Sequence, residues 1–243
     1  MFVAFLSRDI LYYDVSMIFI ALFTIELLLL FLSSRVLTGL ISKLIFSLSK
    51  NKIGTVYFLS FLFLPGVIVH ELSHFLTASI LLVRCKDMEF TPKIHGNTVK
   101  LGSVQVEKTD FIRSAVIAFA PTIIGCSIIT AVLLYFTPDI FNLSKISVWQ
   151  TLIFLYVLFQ IGNTMFVSRK DIEAALKFLL VLSSLLIILY LFNIKILEYF
   201  FEFLQKNNTS SFFKELDLFF LVPLFINFSF ILAFKSIMFA WKR

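Results

Sequence analysis

The 243-residue chain is 60% hydrophobic, with a mean hydropathy of +0.98. Soluble domains sit near ~45–50% apolar, so a soluble globule is excluded. The net charge of +6 does not imply nucleic-acid binding, because a membrane protein gathers lysine and arginine in its loops. Cys85 and Cys126 lie in different segments, which excludes a disulfide framework or a cysteine metal cluster. The composition predicts an all-α polytopic membrane protein with about six transmembrane helices, interfacial helices and one short β-hairpin. It forms a single integral-membrane domain over residues 1–243, with its core at 55–193.

In chain order, Arg8, Asp9 and Asp14 precede an apolar run from Val15 to Ser33, long enough to span a bilayer. No small-residue cleavage site follows it, so it is read as an uncleaved anchor. Glu26 at its middle is read as a protonated or hydrogen-bonded glutamate facing the bundle. From Arg35 to Lys52, Val36, Leu37, Leu40, Ile41, Leu44, Ile45 and Leu48 recur at helical spacing opposite Ser42, Lys43, Ser49 and Lys50. That pattern predicts a helix lying in the interface.

The next span carries His70, Glu71 and His74 as HELSH, an instance of HExxH, one to two turns after Pro65-Gly66. Residues four apart on a helix lie on one face, so both imidazoles can reach one metal while Glu71 stands beside it. Two nitrogen ligands, an open position for water and a carboxylate to take its proton are what a zinc hydrolase needs. Ionisable groups inside a membrane span cost several kcal/mol unless paired, which favours this reading over a chance motif.

Between Arg84 and Arg113, Val99/Leu101 and Val104/Val106 alternate with polar residues around Gly102. Two short strands are predicted there, against a plain loop as the alternative. His95 in this segment is read as a turn residue, with ligation as the minor reading. Further spans are predicted at Phe111 to Phe136, Val148 to Val167, Leu176 to Phe192 and Leu216 to Ala240, with a second interfacial helix at Ile194 to Lys206. Counting Arg8, Arg84 to Arg113, Arg169, Lys170, Lys235, Lys242 and Arg243 as inside charges places the N-terminus and the C-terminal end of the motif helix on the cytoplasmic side. His74 is then about ten residues, or ~15 Å, from that surface.

Two histidines do not complete a catalytic zinc site, which takes three protein ligands and a water. Asp171, at a polar break between the fourth and fifth predicted spans, is the third ligand the chain offers, with Asn163 eight residues earlier. As an alternative, Asp171 is an ordinary helix N-cap. Glu89, Glu173 and His95 are the other candidate ligands.

At these residues the chain resembles the site-2 protease family of intramembrane zinc metallopeptidases. That family carries HExxH on one transmembrane helix followed by a short β element, and a later NxxPxxPxDG motif. The stretch from Asn163 to Asp171 keeps the asparagine-to-aspartate spacing, with Phe166 and Arg169 in place of the prolines and Ile172 in place of the glycine. Ala120-Pro121 is similar to a Gly-Pro pair often found in that family's next span. The resemblance covers about Leu64 to Glu173 and describes a divergent member.

It implies one zinc ion per chain held by His70, His74 and Asp171, Glu71 as general base, and Asn163 binding the substrate carbonyl. It also implies a membrane-protein or peptide substrate with the lipid bilayer as surroundings; composition argues against nucleic acid, and the charge count puts the multi-pass protein in the cell membrane with its site toward the cytoplasm. The competing reading is a non-catalytic scaffold or transporter with a structural metal site at His70 and His74. A di-iron desaturase is excluded, since three histidines cannot build one.

Overall fold

A computed structural model describes residues 2–95, 98–140, 147–166, 169–192 and 209–240. Six helices are described, α1 (Phe2–Ser49), α2 (Lys52–Ile80), α3 (Phe111–Ile140), α4 (Val148–Thr164), α5 (Arg169–Leu191) and α6 (Thr209–Ala240). Four strands lie between α2 and α3: β1 (Cys85–Glu89), β2 (Lys93–His95), β3 (Thr98–Lys100) and β4 (Ser103–Val106). Four of the helices are long and apolar enough to cross a membrane, over Ile18–Ser49, Lys52–Ile80, Phe111–Tyr135 and Phe212–Ala240. α4 has 17 residues, and α5 contains a shorter apolar stretch at Leu176–Leu189. The predicted interfacial helix at Ile194 to Lys206 lies outside the described residues.

The first correction concerns Arg35 to Lys52. No separate interfacial helix forms; α1 runs unbroken to Ser49. Leu37 and Ile41 lie in a core with Leu59, Phe63 and Val67 of α2 and Ile231 of α6, so the middle of the apolar stripe faces protein while Val36 and Leu48 stay exposed. Helical periodicity reports that one face is covered without saying by what. The chain then reverses in two residues. Lys50 takes a left-handed conformation (φ 53°), and Asn51 caps α2 by accepting the N–H groups of Ile53 and Gly54.

α1 and α6 run parallel. Phe23 packs its ring against Phe213 and Phe220, the Asn227 amide donates to the Ser33 hydroxyl at 3.1 Å, and Ile231 joins Leu37 and Ile41. Glu26 and Asp217 are both buried in this seam. Among the described residues, Glu26 Oε2 and both Asp217 carboxyl oxygens have no hydrogen-bond partner. The parallel course also puts Lys235 at the end of the bundle opposite Arg8, so those two no longer count together in the charge bias; Lys242 and Arg243 lie outside the described residues.

The four strands form one ribbon in two nested parts. β1 pairs antiparallel with β4, and β2 with β3. Val99 and Val104 do fall on strands, but Gly102 is the break between β3 and β4, not the turn. The partner strands, Cys85–Glu89 and Lys93–His95, lack the alternation that marks a strand in sequence.

α2 ends in a Schellman motif, in which Val83 N–H bonds the Ala78 carbonyl and Leu82 N–H that of Ser79, with Leu82 left-handed (φ 57°). Val83 and Ala78 pack with Ile117, and Cys85 and Val106 pack against them. The ribbon thus starts and ends beside the C-terminus of α2, while its Gly102 break reaches back to Val67 and Glu71. It therefore folds back along α2 from the C-terminus toward the middle of that helix. Irregular backbone at such depth is stable where protein covers it.

Inside α2, Pro65 cannot donate the helical hydrogen bond of its turn. Gln160 of α4 reaches across and donates to the Leu62 carbonyl at 2.6 Å. The two helices touch where Gly66 meets α4, since a Cβ there would lie 2.9 Å from the Gln160 carbonyl oxygen and closer still to Thr164. Asp110 caps α3 by accepting the Arg113 N–H, and that hydrogen bond, with the nearby guanidinium, holds its carboxyl below the usual range.

Gly66→Ala is therefore expected to cost about 1–3 kcal/mol and to lower the thermal midpoint in detergent. Gly39→Ala, which meets nothing within 4 Å in the middle of α1, should instead be neutral or gain ~0.5–1 kcal/mol. Equal midpoints for the two variants would contradict the close α2–α4 contact.

Candidate metal centre

His70, Glu71 and His74 are all buried on α2, each at 7% exposure or less. The imidazoles stand edge to face, with ring centroids 4.9 Å apart. Their Nε2 atoms approach to 3.3 Å. Two nitrogens bound to one tetrahedral zinc at ~2.0–2.1 Å stand about 3.3–3.4 Å apart, so the pair already has the spacing of two ligands.

His74 is oriented by α3. Its Nδ1 lies 2.8 Å from the Ile117 carbonyl oxygen. A carbonyl only accepts, so Nδ1 carries the proton and Nε2 presents its lone pair toward His70. A backbone carbonyl holding the remote nitrogen of a ligating histidine is the usual support of a metal site. Ile117 is itself fixed by packing against Ala78 and Val83, which ties this carbonyl to the end of α2.

Glu71 is covered by the ribbon. A Cβ at Gly102 would lie 3.1 Å from Glu71 Cγ, 3.2 Å from its Oε1 and 2.7 Å from Val67 Cγ1. Only a residue without a side chain lets the backbone come this close. The inner end of β1 arrives beside it, with Glu89 opposite Ser103.

Asp171 lies in the first turn of α5, and its side chain is outside the described residues. The same holds for the side chain of His95 on β2. Glu173 is exposed. Among the described residues no group of three His, Cys, Asp or Glu side chains forms a metal cage. The donor set His70 plus His74 fits zinc by spacing and by the tautomer of His74; Asp171, Glu89, His95 and Glu173 stay the candidates for a third ligand. Cys85 is a poor candidate, since burial pushes its thiol up from the ordinary value and so away from the thiolate.

Asn163 is engaged in a hydrogen-bond relay within the bundle. Its amide donates to the Phe159 carbonyl and to Asn227 Oδ1, both at 2.8 Å. Asn227 in turn donates to Ser33, and Ser33 to the Leu30 carbonyl at 3.0 Å. Carbonyls at both ends of this relay fix every donor in it, so both N–H bonds of Asn163 are engaged. Donating to a substrate oxyanion would require it to release one of them. Its Oδ1 is left without a partner among the described residues. Sequence reading did not select Asn227, Ser33 or Gln160; the signal available was a polar residue inside each apolar span.

Comparison with protein-family models, curated proteins and solved structures finds no match to this chain.

If the two imidazoles are ligands, purified protein should carry about one zinc per chain, and His70→Ala or His74→Ala should lose it, as read by elemental analysis. Metal retained at full occupancy in either variant would remove the pair from the site.

Proposed function

We propose that the chain is an intramembrane zinc metallopeptidase, a divergent relative of the site-2 proteases, that hydrolyses peptide bonds in or near transmembrane segments. The observation that carries this reading is the pair of Nε2 atoms at 3.3 Å on a helix apolar enough to cross a membrane, with Glu71 one residue from His70. In this reading the protein is a multi-pass protein of the cell membrane and its partners are the bilayer and membrane-protein or peptide substrates. The charge bias behind the cytoplasmic placement of the site is weakened at Lys235, which α6 carries to the end opposite Arg8.

His70 and His74 would hold the zinc, with Asp171 as third ligand and Glu89 as its rival. When bound, the metal would supply an open coordination position that acidifies water and polarises a carbonyl. Glu71 would take the proton of the attacking water and pass it to the leaving amine. The contact with Gly102 keeps Glu71 out of bulk water, and the free edge of β4 offers hydrogen bonds to a substrate segment unwound from its helix. A transmembrane helix hides its carbonyls in its own bonds, so such unwinding has to precede attack.

Glu71→Gln should keep its zinc and lose cleavage of a single-span substrate by about 10²–10⁴-fold. Cleavage retained in that variant would reject the mechanism, and zinc without cleavage in the wild type would favour a structural metal site. Asp171→Ala should lose most of its zinc; an unchanged content there with loss in Glu89→Ala would assign the third ligand to Glu89. Gly102→Ala should lower kcat while leaving the zinc content intact, because the added methyl lifts the ribbon from Val67 and Glu71. Unaltered kcat would show that the ribbon plays no part in the chemistry.

A further inference from the structure

Four lysines gather at one end of the bundle. Lys43, Lys50 and Lys52 are exposed around the α1–α2 turn, and Lys235 is exposed at the same end of α6. None of the four makes an ion pair among the described residues. Where the ribbon meets the start of α3, at the opposite end, charges are matched instead: Lys86 pairs with Glu107 at 3.7 Å and Arg113 with Asp110 at 3.2 Å. We propose that the lysine-bearing end is a docking surface for anionic phospholipid headgroups, which pin the α1–α2 turn in the headgroup layer of one leaflet. The inference does not use the peptidase reading.

Depth is the first support. The Asn227–Ser33 hydrogen bond sets α6 level with α1, so Lys235, eight residues after Asn227, stands level with Ile41, just below Lys43. Lys50 is seven residues, two turns or about 10 Å, above Lys43. Lysine stems lie along apolar surface while the ammonium extends into the polar layer, which lets the lower pair join the upper one. All four charges therefore reach one shallow zone.

The second support is what the lysines are interleaved with. Phe46, Leu48, Ile53 and Tyr57 are exposed on the same turns. Tyrosine beside lysine is the composition of a membrane–water boundary. A soluble anion or an acidic protein segment would match the charges alone; a phospholipid supplies a phosphate for the lysines and acyl chains for the apolar side chains between them. Length agrees. α1 has 48 residues, about 70 Å at 1.5 Å each, against a hydrocarbon layer of ~30 Å, so part of it projects into the headgroups or beyond.

Pinning the turn would fix the depth of HELSH. His70 follows Lys52 by eighteen residues, or about 27 Å along α2, which holds the motif in hydrocarbon beyond the centre of the bilayer.

The test uses the full chain in phosphatidylcholine vesicles containing a minor fraction of phosphatidylglycerol. Either lipid carries a diazirine next to its headgroup, and adducts are mapped by mass spectrometry after photolysis. We expect residues 43–57 and 232–239 to be labelled by the anionic lipid at least about fivefold more than by the zwitterionic one, roughly the factor one lysine contributes near an anionic surface. The excess should shrink in about 0.5 M salt, where screening is short-ranged. It should vanish in the combined variant Lys43→Gln, Lys50→Gln, Lys52→Gln and Lys235→Gln, and persist in Lys86→Gln with Lys108→Gln at the ribbon end. Equal labelling by the two lipids in the wild type, a comparison that needs no variant to fold, overturns the proposal, as does an excess that survives loss of the four lysines. An excess abolished by inorganic phosphate at constant ionic strength would assign the lysines to a soluble anion and overturn it too.

Discussion

The structure around the candidate site depends on one hydrogen bond, from His74 Nδ1 to the Ile117 carbonyl. It fixes the proton on the far nitrogen of the ring and so decides which atom faces His70. It also couples α2 to α3, whose register is set by the Ala78, Val83 and Ile117 contact. A metal entering between the imidazoles would find His74 already turned to it, and little reorganisation would be needed.

The second constraint is steric. α2 carries two glycine contacts: its own Gly66 against α4, and Gly102 of the ribbon against Val67 and Glu71. Both place foreign backbone where an ordinary side chain would stand. Between them they bring α4 and the ribbon onto the same stretch of helix that holds the histidines. Gln160 completes the arrangement by donating a second hydrogen bond to the Leu62 carbonyl in the turn before Pro65, which ties α4 to α2 at that level.

Much of this was legible in the chain. The four long apolar helices follow from run length, and the burial of His70, Glu71 and His74 on one helix face follows from their spacing. Other parts were not. The amphipathic stretch after Arg35 read as a surface helix because its stripe looks the same whether lipid or α6 covers it. Strands β1 and β2 carry lysine, aspartate and glutamate where a strand signal needs alternation; their pairing is set by the ribbon's fit against α2. The Asn163 relay joins residues 129 and 64 positions apart, a pairing no single sequence encodes in its spacing.

The parallel course of α1 and α6 carries one more implication. Two helices that begin at the same end of a bundle and rise together form a post rather than a hairpin, and the chain between them must make a full circuit to return. The residues proposed for the chemistry, on α2, the ribbon and α5, all belong to that circuit. The post is held together by Phe23, Ser33 and Asn227, and the circuit is fastened back to it where the Ser34 hydroxyl meets the Asn163 carbonyl, so α4 cannot shift along the post without breaking that bond.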